Sequence, residues 1–522
     1  MASSIRKDDL MALHEMRLGE VKQHLEEVQG RDTTEVLAMV DALQRLAIKY
    51  HFEDEVVAIL EALYSVFPTH GDLHEQALCF RLLRQEGFNV SLDMSGWLNI
   101  VNSMANAKTL GTDDILALAS LHEASHLCME EEDIIEQIGE TTARVLKSSL
   151  NKISDHDQAD FVRHTLQDPV HKSLPIFTSK NIRDGHILSS NYSWSTALYD
   201  LALLDSSLNK FIYQVEVQRV SKWWKDLGLE KEMEFARHQP LKWYMWTMAT
   251  LTKPSLSMER MELLEPISLI YVVDDIFDVK GTLEELIIFT NSIVRWSPDE
   301  NLPEYMKVCF CVLDNITNEI SSEAYRRHGW NPVASLRKSW GHLVEAFLVE
   351  ARWFANKTYP SSENYLRNAV VTSGVHCTLV HAFFLLDEGI TKQRVDILDG
   401  LPGFVASTAT ILRLWDDLGS AKDENQHGHD GSYLEYYKKE HPGCSDASAR
   451  AHVKGLIAKE WKKLNQECLL SREFPKSFSK VCLDTARMVP LMYDYDVDQP
   501  FPLLKELMNS ILFGGEASAT QN

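Results

Sequence analysis

The sequence predicts an all-α chain of two helical domains, and three observations carry that expectation. Apolar residues recur at helical spacing over long stretches, while the strict alternation of strands is rare. The breakers between those stretches are short. At 522 residues the chain is too long for one ordinary core, so two or three domains are expected.

The elements follow in order. Val36, Val40, Leu43, Leu46, Ala47 and Tyr50 form one helical stripe. The apolar run Ile115 to Ala119 leads into another helix-like segment, Ser120 to Leu127. Pro68-Thr69-His70-Gly71, Lys280-Gly281-Thr282 and His441-Pro442-Gly443 interrupt the pattern. Thr282-Leu283-Glu284-Glu285 reads as a capping box. Its hydroxyl and carboxylate each satisfy an N–H that a helix start leaves unpaired, so a helix begins there. The turn-like segments Asn181 to Gly185 and Ser189 to Ser193 put the domain boundary between Ser179 and Leu208, giving domains 1–200 and 201–522. There is no low-complexity segment and no fixed-period repeat.

Composition narrows the function. With 52 basic and 76 acidic residues the formal net charge is −24, which argues against a nucleic-acid binder, because neutralising phosphates needs a basic surface. An anionic substrate must then be met by local cations or metal ions. The 8 cysteines have neither zinc-type nor disulfide-scaffold spacing, and Cys309 and Cys311 form only C-x-C, so a reduced core is expected. The sequons at Asn89, Asn191, Asn315 and Asn356 carry little meaning without a secretory signal. No apolar run approaches the length of a membrane span. The start, Met1 to Asp9, lacks a signal-peptide apolar region and is too acidic for a transit peptide. A cytosolic protein follows if that start is native, and a plastid protein if a transit peptide was removed.

The chemistry begins at Asp274-Asp275-Ile276-Phe277-Asp278, which ends the apolar run Ile267 to Val273. Three carboxylates at the C-terminal end of a helix are unfavourable, because the dipole there is already negative and each anion costs roughly 0.3–1 kcal/mol. A positive group should offset them. Hard divalent cations suit carboxylate oxygens and accept substrate phosphates as co-ligands. Asp274 and Asp278, at i and i+4, share one helix face, with Asp275 turned by about 100°. A second set lies downstream. Asp416, Ser420 and Glu424 are spaced i, i+4, i+8, one drifting stripe of a helix and a plausible hard-metal site. Arg413, three residues earlier, falls near that face, where it can pair a phosphate oxygen.

The two sets together resemble the aspartate-rich motif and the second metal motif of plant terpene synthases. Ala77 to Phe88 and Leu121 to Leu127 look like signatures of that family's N-terminal domain, and Trp223 to Gly228 and Leu302 to Lys307 like those of its catalytic domain. The resemblance implies an αα-barrel-like N-terminal domain without an active site. It also implies a C-terminal class I terpenoid synthase helical bundle holding three Mg²⁺ or Mn²⁺ ions. By position Asp274 and Asp278 would bind two ions, with Asp275 in support, and Asp416, Ser420 and Glu424 the third. The metals and Arg413 would draw diphosphate from a prenyl diphosphate, leaving a carbocation. Arg237 looks like the first arginine of the family's R-x-R diphosphate clamp, and Trp246, the Ser373-Gly374 helix break and Tyr493 resemble pocket-wall positions. A monomer is the expected assembly.

The departures point to a subgroup. In Arg237-His238-Gln239 a glutamine replaces the second clamp arginine. After Glu424, Asn425 to Asp430 lacks the arginine that many cyclising relatives carry before the glycine, and His427 and His429 read as loop histidines. No tandem arginine with a distant tryptophan occurs near the N-terminus. These features resemble the acyclic-product subgroup that includes linalool and nerolidol synthases. The expected activity is ionisation of geranyl or farnesyl diphosphate and capture of the cation by water. Rivals are a sesquiterpene cyclase, an acyclic-olefin former, a prenyl-chain elongase, which would normally show a second D-D-x-x-D, and a non-catalytic helical scaffold.

Overall fold

Helices make up most of the described residues. The computed structural model describes residues 7–28, 32–66, 71–90, 94–107, 109–184, 192–386, 388–419, 431–493, 495–496 and 499–500. Among these the one strand pair is two residues long, Tyr495–Asp496 against Gln499–Pro500. Contacts divide the chain into Met1–Tyr213 and Gln214–Asn522. The division falls inside the long helix Ser195–Leu227.

In the first unit the expected stripe through Tyr50 is cut short. The helix Thr33–Arg45 buries Val36, Leu37, Met39, Val40, Ala42 and Leu43, then stops. Ala47 adopts φ +62°, with its N–H on Gln44 O (3.1 Å) and that of Ile48 on Leu43 O (3.2 Å). That is a Schellman close, with alanine where glycine is usual. The turn sends Ile48 and Phe52 inward, and each such burial is worth roughly 1.5–3 kcal/mol, enough to outweigh the strained alanine. The two segments expected around residue 119 are instead one helix, Thr112–Ser125. Asp205 forms a polar hub of this unit. It accepts from Tyr50 Oη (2.6 Å) and lies 2.8 Å from His51 Nε2 and 3.1 Å from His14 Nε2.

In the second unit the helix Ser257–Asp275 is enclosed over its C-terminal half, with Pro266 to Ile270 consecutively buried, as expected of a central helix. It packs against Pro240–Thr250, Glu304–His328 and Val375–Leu385. A second central helix, Gly403–Gly419, packs against Asp446–Asn465 and Lys476–Tyr493. Asp274, Asp275 and Asp416 therefore lie on core helices of one unit. The capping box forms as expected, with the Thr282 N–H on Glu285 (2.9 Å) and that of Glu285 on Thr282 Oγ1 (3.4 Å). A fully buried ion pair anchors the bundle. Arg260 donates to Glu216 through Nη2 (2.7 Å) and Nε (3.0 Å), and through Nη1 to the carbonyls of Leu251 (2.8 Å) and Lys253 (2.6 Å).

Two helical stretches do have the length and hydropathy of a membrane span, Ser362–Leu385 and Lys392–Gly419. The most apolar window of the first is 83% buried inside the protein, and the helix break at Ser373-Gly374 interrupts it. Its apolar surface is covered by neighbouring helices.

Candidate active site

The first acidic cluster does not continue a straight α-helix. The helix ends at Asp275, and a π turn covers Ile276–Lys280, closed by Gly281 N–H on Ile276 O (2.8 Å). Asp278, expected one α-turn beyond Asp274, lies on this wider turn and is exposed. Asp274 is half-buried, and Asp275 is turned inward and buried. Asp275 accepts from the Arg237 backbone N–H (2.6 Å) and Nε (2.7 Å), and Arg237 Nη2 binds Asp274. The positive charge that the helix end requires is thus supplied by Arg237. Burial pushes the Asp275 carboxyl upward, and Arg237 opposes the shift.

The second set starts from Gly403–Gly419. Arg413 Nη1 donates to Asp416 Oδ2 (3.0 Å), and Nε reaches Ala369 O (3.4 Å). Burial raises the Asp416 carboxyl above the usual range. Arg413 opposes this and the charge of Asp274 adds to it. Asp417 points elsewhere, accepting from Tyr433 N–H (2.7 Å) and Tyr365 Oη (3.2 Å), and burial pushes it up to about 8. Ser420 and Glu424 lie outside the described residues. Asp274 and Asp416, each held by an arginine, form a hard oxygen donor set. A divalent cation fits such a set.

An aromatic wall flanks the acids. Trp246 Nε1 donates to Tyr271 Oη (3.1 Å), and Tyr493 stacks obliquely on Trp246 with ring centroids 6.3 Å apart. Burial pushes the Tyr493 phenol well above the ordinary value. Ser373 turns its hydroxyl back onto Val370 O (2.7 Å). Gly374 has φ +73°, and a Cβ there would meet Ile270 Cγ2 at 2.7 Å. Gly374→Ala is therefore expected to cost about 1–3 kcal/mol of stability, read from the shift of the thermal midpoint. An unchanged midpoint would show that the break tolerates a side chain.

Three site residues escaped the sequence reading. Tyr271 lies three residues before Asp274, on the same helix face. Its ring centroid is 5.3 Å from the Arg237 guanidinium. Glu350 accepts from Thr372 Oγ1 and Asn368 Nδ2, both at 3.0 Å, and Arg413 acts on its charge. Lys242 stands four residues before Trp246. The i, i+3 and i, i+4 relations to Asp274 and Trp246 were available signals for Tyr271 and Lys242. Glu350 had none, being remote in sequence from every motif.

Comparisons with known proteins agree on one family. Residues 225–463 match the terpene synthase family metal binding domain, and residues 2–166 match the terpene synthase N-terminal domain. The chain is 46% identical to a Cannabis sativa protein named (E)-nerolidol synthase, over 92% of this chain and 88% of that one. It is 45% identical to the S-(+)-linalool synthase, chloroplastic, of Arabidopsis thaliana, over 96% and 89%. Its fold superposes on isoprene synthase from grey poplar leaves, solved with three Mg²⁺ ions and dimethylallyl-S-thiolodiphosphate. That match has a TM-score of 0.86 at 28% identity and covers 98% of this chain and 99% of the other.

Proposed function

The chain belongs to the terpene synthase family, and we propose that it ionises geranyl diphosphate, farnesyl diphosphate or both, then lets water trap the cation as linalool or nerolidol. One observation carries the choice of product. The two relatives at 45–46% identity over more than nine-tenths of the chain are named for those acyclic alcohols. The glutamine at position 239, in place of the second clamp arginine, supports it.

Asp274 and Asp278 would hold two divalent ions, with Asp275 in support, and Asp416, Ser420 and Glu424, the last two outside the described residues, would hold the third. Mg²⁺ or Mn²⁺ so bound supplies positive charge that stabilises the departing diphosphate. Asp275 keeps a further task, since its bonds to the Arg237 backbone and Nε orient that side chain. Arg237 and Arg413 now rest on Asp274 and Asp416. Both guanidinium groups would pair diphosphate oxygens as forked donors. Trp246, Tyr271 and Tyr493 offer π faces to the carbocation, each worth roughly 0.5–2 kcal/mol. The buried helices around them keep bulk water away.

The test is direct. Pure protein with Mg²⁺ and either prenyl diphosphate should release linalool or nerolidol, separated on a chiral column. EDTA should abolish turnover, and Mg²⁺ or Mn²⁺ should restore it. A cyclic product or an acyclic olefin would refute the water-capture step and leave the family intact. Transfer of the prenyl group to a second prenyl diphosphate would indicate chain elongation instead.

A further inference from the structure

We propose that His14, His51 and Asp205 form a binding site for a divalent transition-metal ion of the zinc class, using none of the carboxylates assigned above. All three residues belong to the first unit. His14 lies on the helix Lys7–Val28, His51 ends the short turn Lys49–His51, and Asp205 lies on the helix Ser195–Leu227. Asp205 Oδ1 is 2.8 Å from His51 Nε2 and 3.1 Å from His14 Nε2, and the three atoms lie within 4.8 Å of one another. Ligand atoms around a four-coordinate zinc ion stand about 3.2–3.5 Å apart, given bonds of about 2.0–2.2 Å. A small outward shift of the two rings therefore admits the ion.

Hydrogen bonding alone serves this cluster badly. Oδ1 has two lone pairs but three partners, because Tyr50 Oη also donates to it (2.6 Å). An ion between the rings removes the excess. Each imidazole then turns a nitrogen lone pair to the metal, and Oδ1 keeps the ion and Tyr50. The other carboxylate oxygen is already held, since Asn209 Nδ2 donates to Oδ2 (2.9 Å), a contact that orients a ligating carboxylate. Burial opposes ionisation of Asp205, but the bonds from His14, His51 and Tyr50 hold its carboxyl below the usual range, so it is an anion at neutral pH. Burial pushes the Tyr50 phenol far above its ordinary value, so Tyr50 stays a neutral donor and not a fourth ligand. The His51 side chain is 18% exposed, which leaves the ion a way in and water the fourth position. The donor set selects the metal: two imidazoles and one carboxylate suit Zn²⁺ and its neighbours, whereas Mg²⁺ prefers oxygen donors. The ion would cross-link segments 191 residues apart, so its effect falls on stability.

The probe is zinc chloride added to the whole chain in excess Mg²⁺, which competes for oxygen-only sites. After dialysis, metal analysis should find about one zinc per chain, and the thermal midpoint should rise by about 5 °C. His14→Gln and His51→Gln each keep a donor for Asp205 but offer no imidazole, and each should weaken zinc binding about a hundredfold. Asn209→Ala should weaken it about tenfold, through the orientation of Asp205. Asp274→Ala should bind zinc as the wild type does. Circular dichroism checks that each variant is folded. Zinc should also shield His51 of the wild type from carbethoxylation, read by mass spectrometry, a measurement that needs no variant. Wild-type protein that binds no zinc overturns the proposal. So does zinc held at wild-type affinity by folded His14→Gln and His51→Gln, and so does zinc that leaves His51 modified at the rate of the metal-free protein. Loss of the zinc in Asp274→Ala would also overturn it, by placing the ion among the carboxylates.

Discussion

Asp274→Ala is expected to lower kcat about 10³-fold, or roughly 4 kcal/mol of transition-state stabilisation, with little change in thermal midpoint. The two halves of that expectation have separate causes. The carboxylate is half-buried, its charge acts on Asp416, and it is proposed to hold cations. Its removal does not strand Arg237, which keeps its bonds to Asp275 (2.6 and 2.7 Å). Single-turnover rates with saturating Mg²⁺ isolate the ionisation step. A variant with wild-type kcat would remove Asp274 from the catalytic set. A variant that unfolds early would instead mean that Asp274 is needed for the fold.

Arg260→Met is expected to destabilise the second unit by about 3–5 kcal/mol, because it leaves Glu216 as an uncompensated buried charge. Both side chains of the pair are 1% exposed, so water cannot take over either role. Tyr244, which also donates to Glu216, would remain but cannot neutralise a carboxylate. Replacing both partners, as Glu216→Leu with Arg260→Met, should recover part of the loss. Recovery stays partial because the carbonyls of Leu251 and Lys253 lose their donor. Urea unfolding of the three proteins measures this. Equal stability of the single variant and the wild type would contradict the argument from burial.

The helices were legible wherever local chemistry decides. The Thr282 box carries its own cap, and the apolar run before Asp274 is long enough to mark a central helix. The end of the helix at Arg45 was not legible. An alanine in the left-handed region has no local signature, and it is held there by what Ile48 and Phe52 gain inside the core. The π turn after Asp275 was hidden for the same reason, since i→i+5 bonding has no composition of its own.

By itself the sequence determined the family, the all-α class, the two acidic stretches and the Arg237-His238-Gln239 variation, because these are statements about residue type and spacing along the chain. Only the tertiary structure decided that the charge of Asp274 reaches Asp416, that Arg237 rests on Asp274 and Asp275, and that Trp246 meets both Tyr271 and Tyr493. The physical reason is distance. Charges and hydrogen bonds act over a few ångströms, and the partners that matter here are brought together by helix packing from positions far apart in the chain.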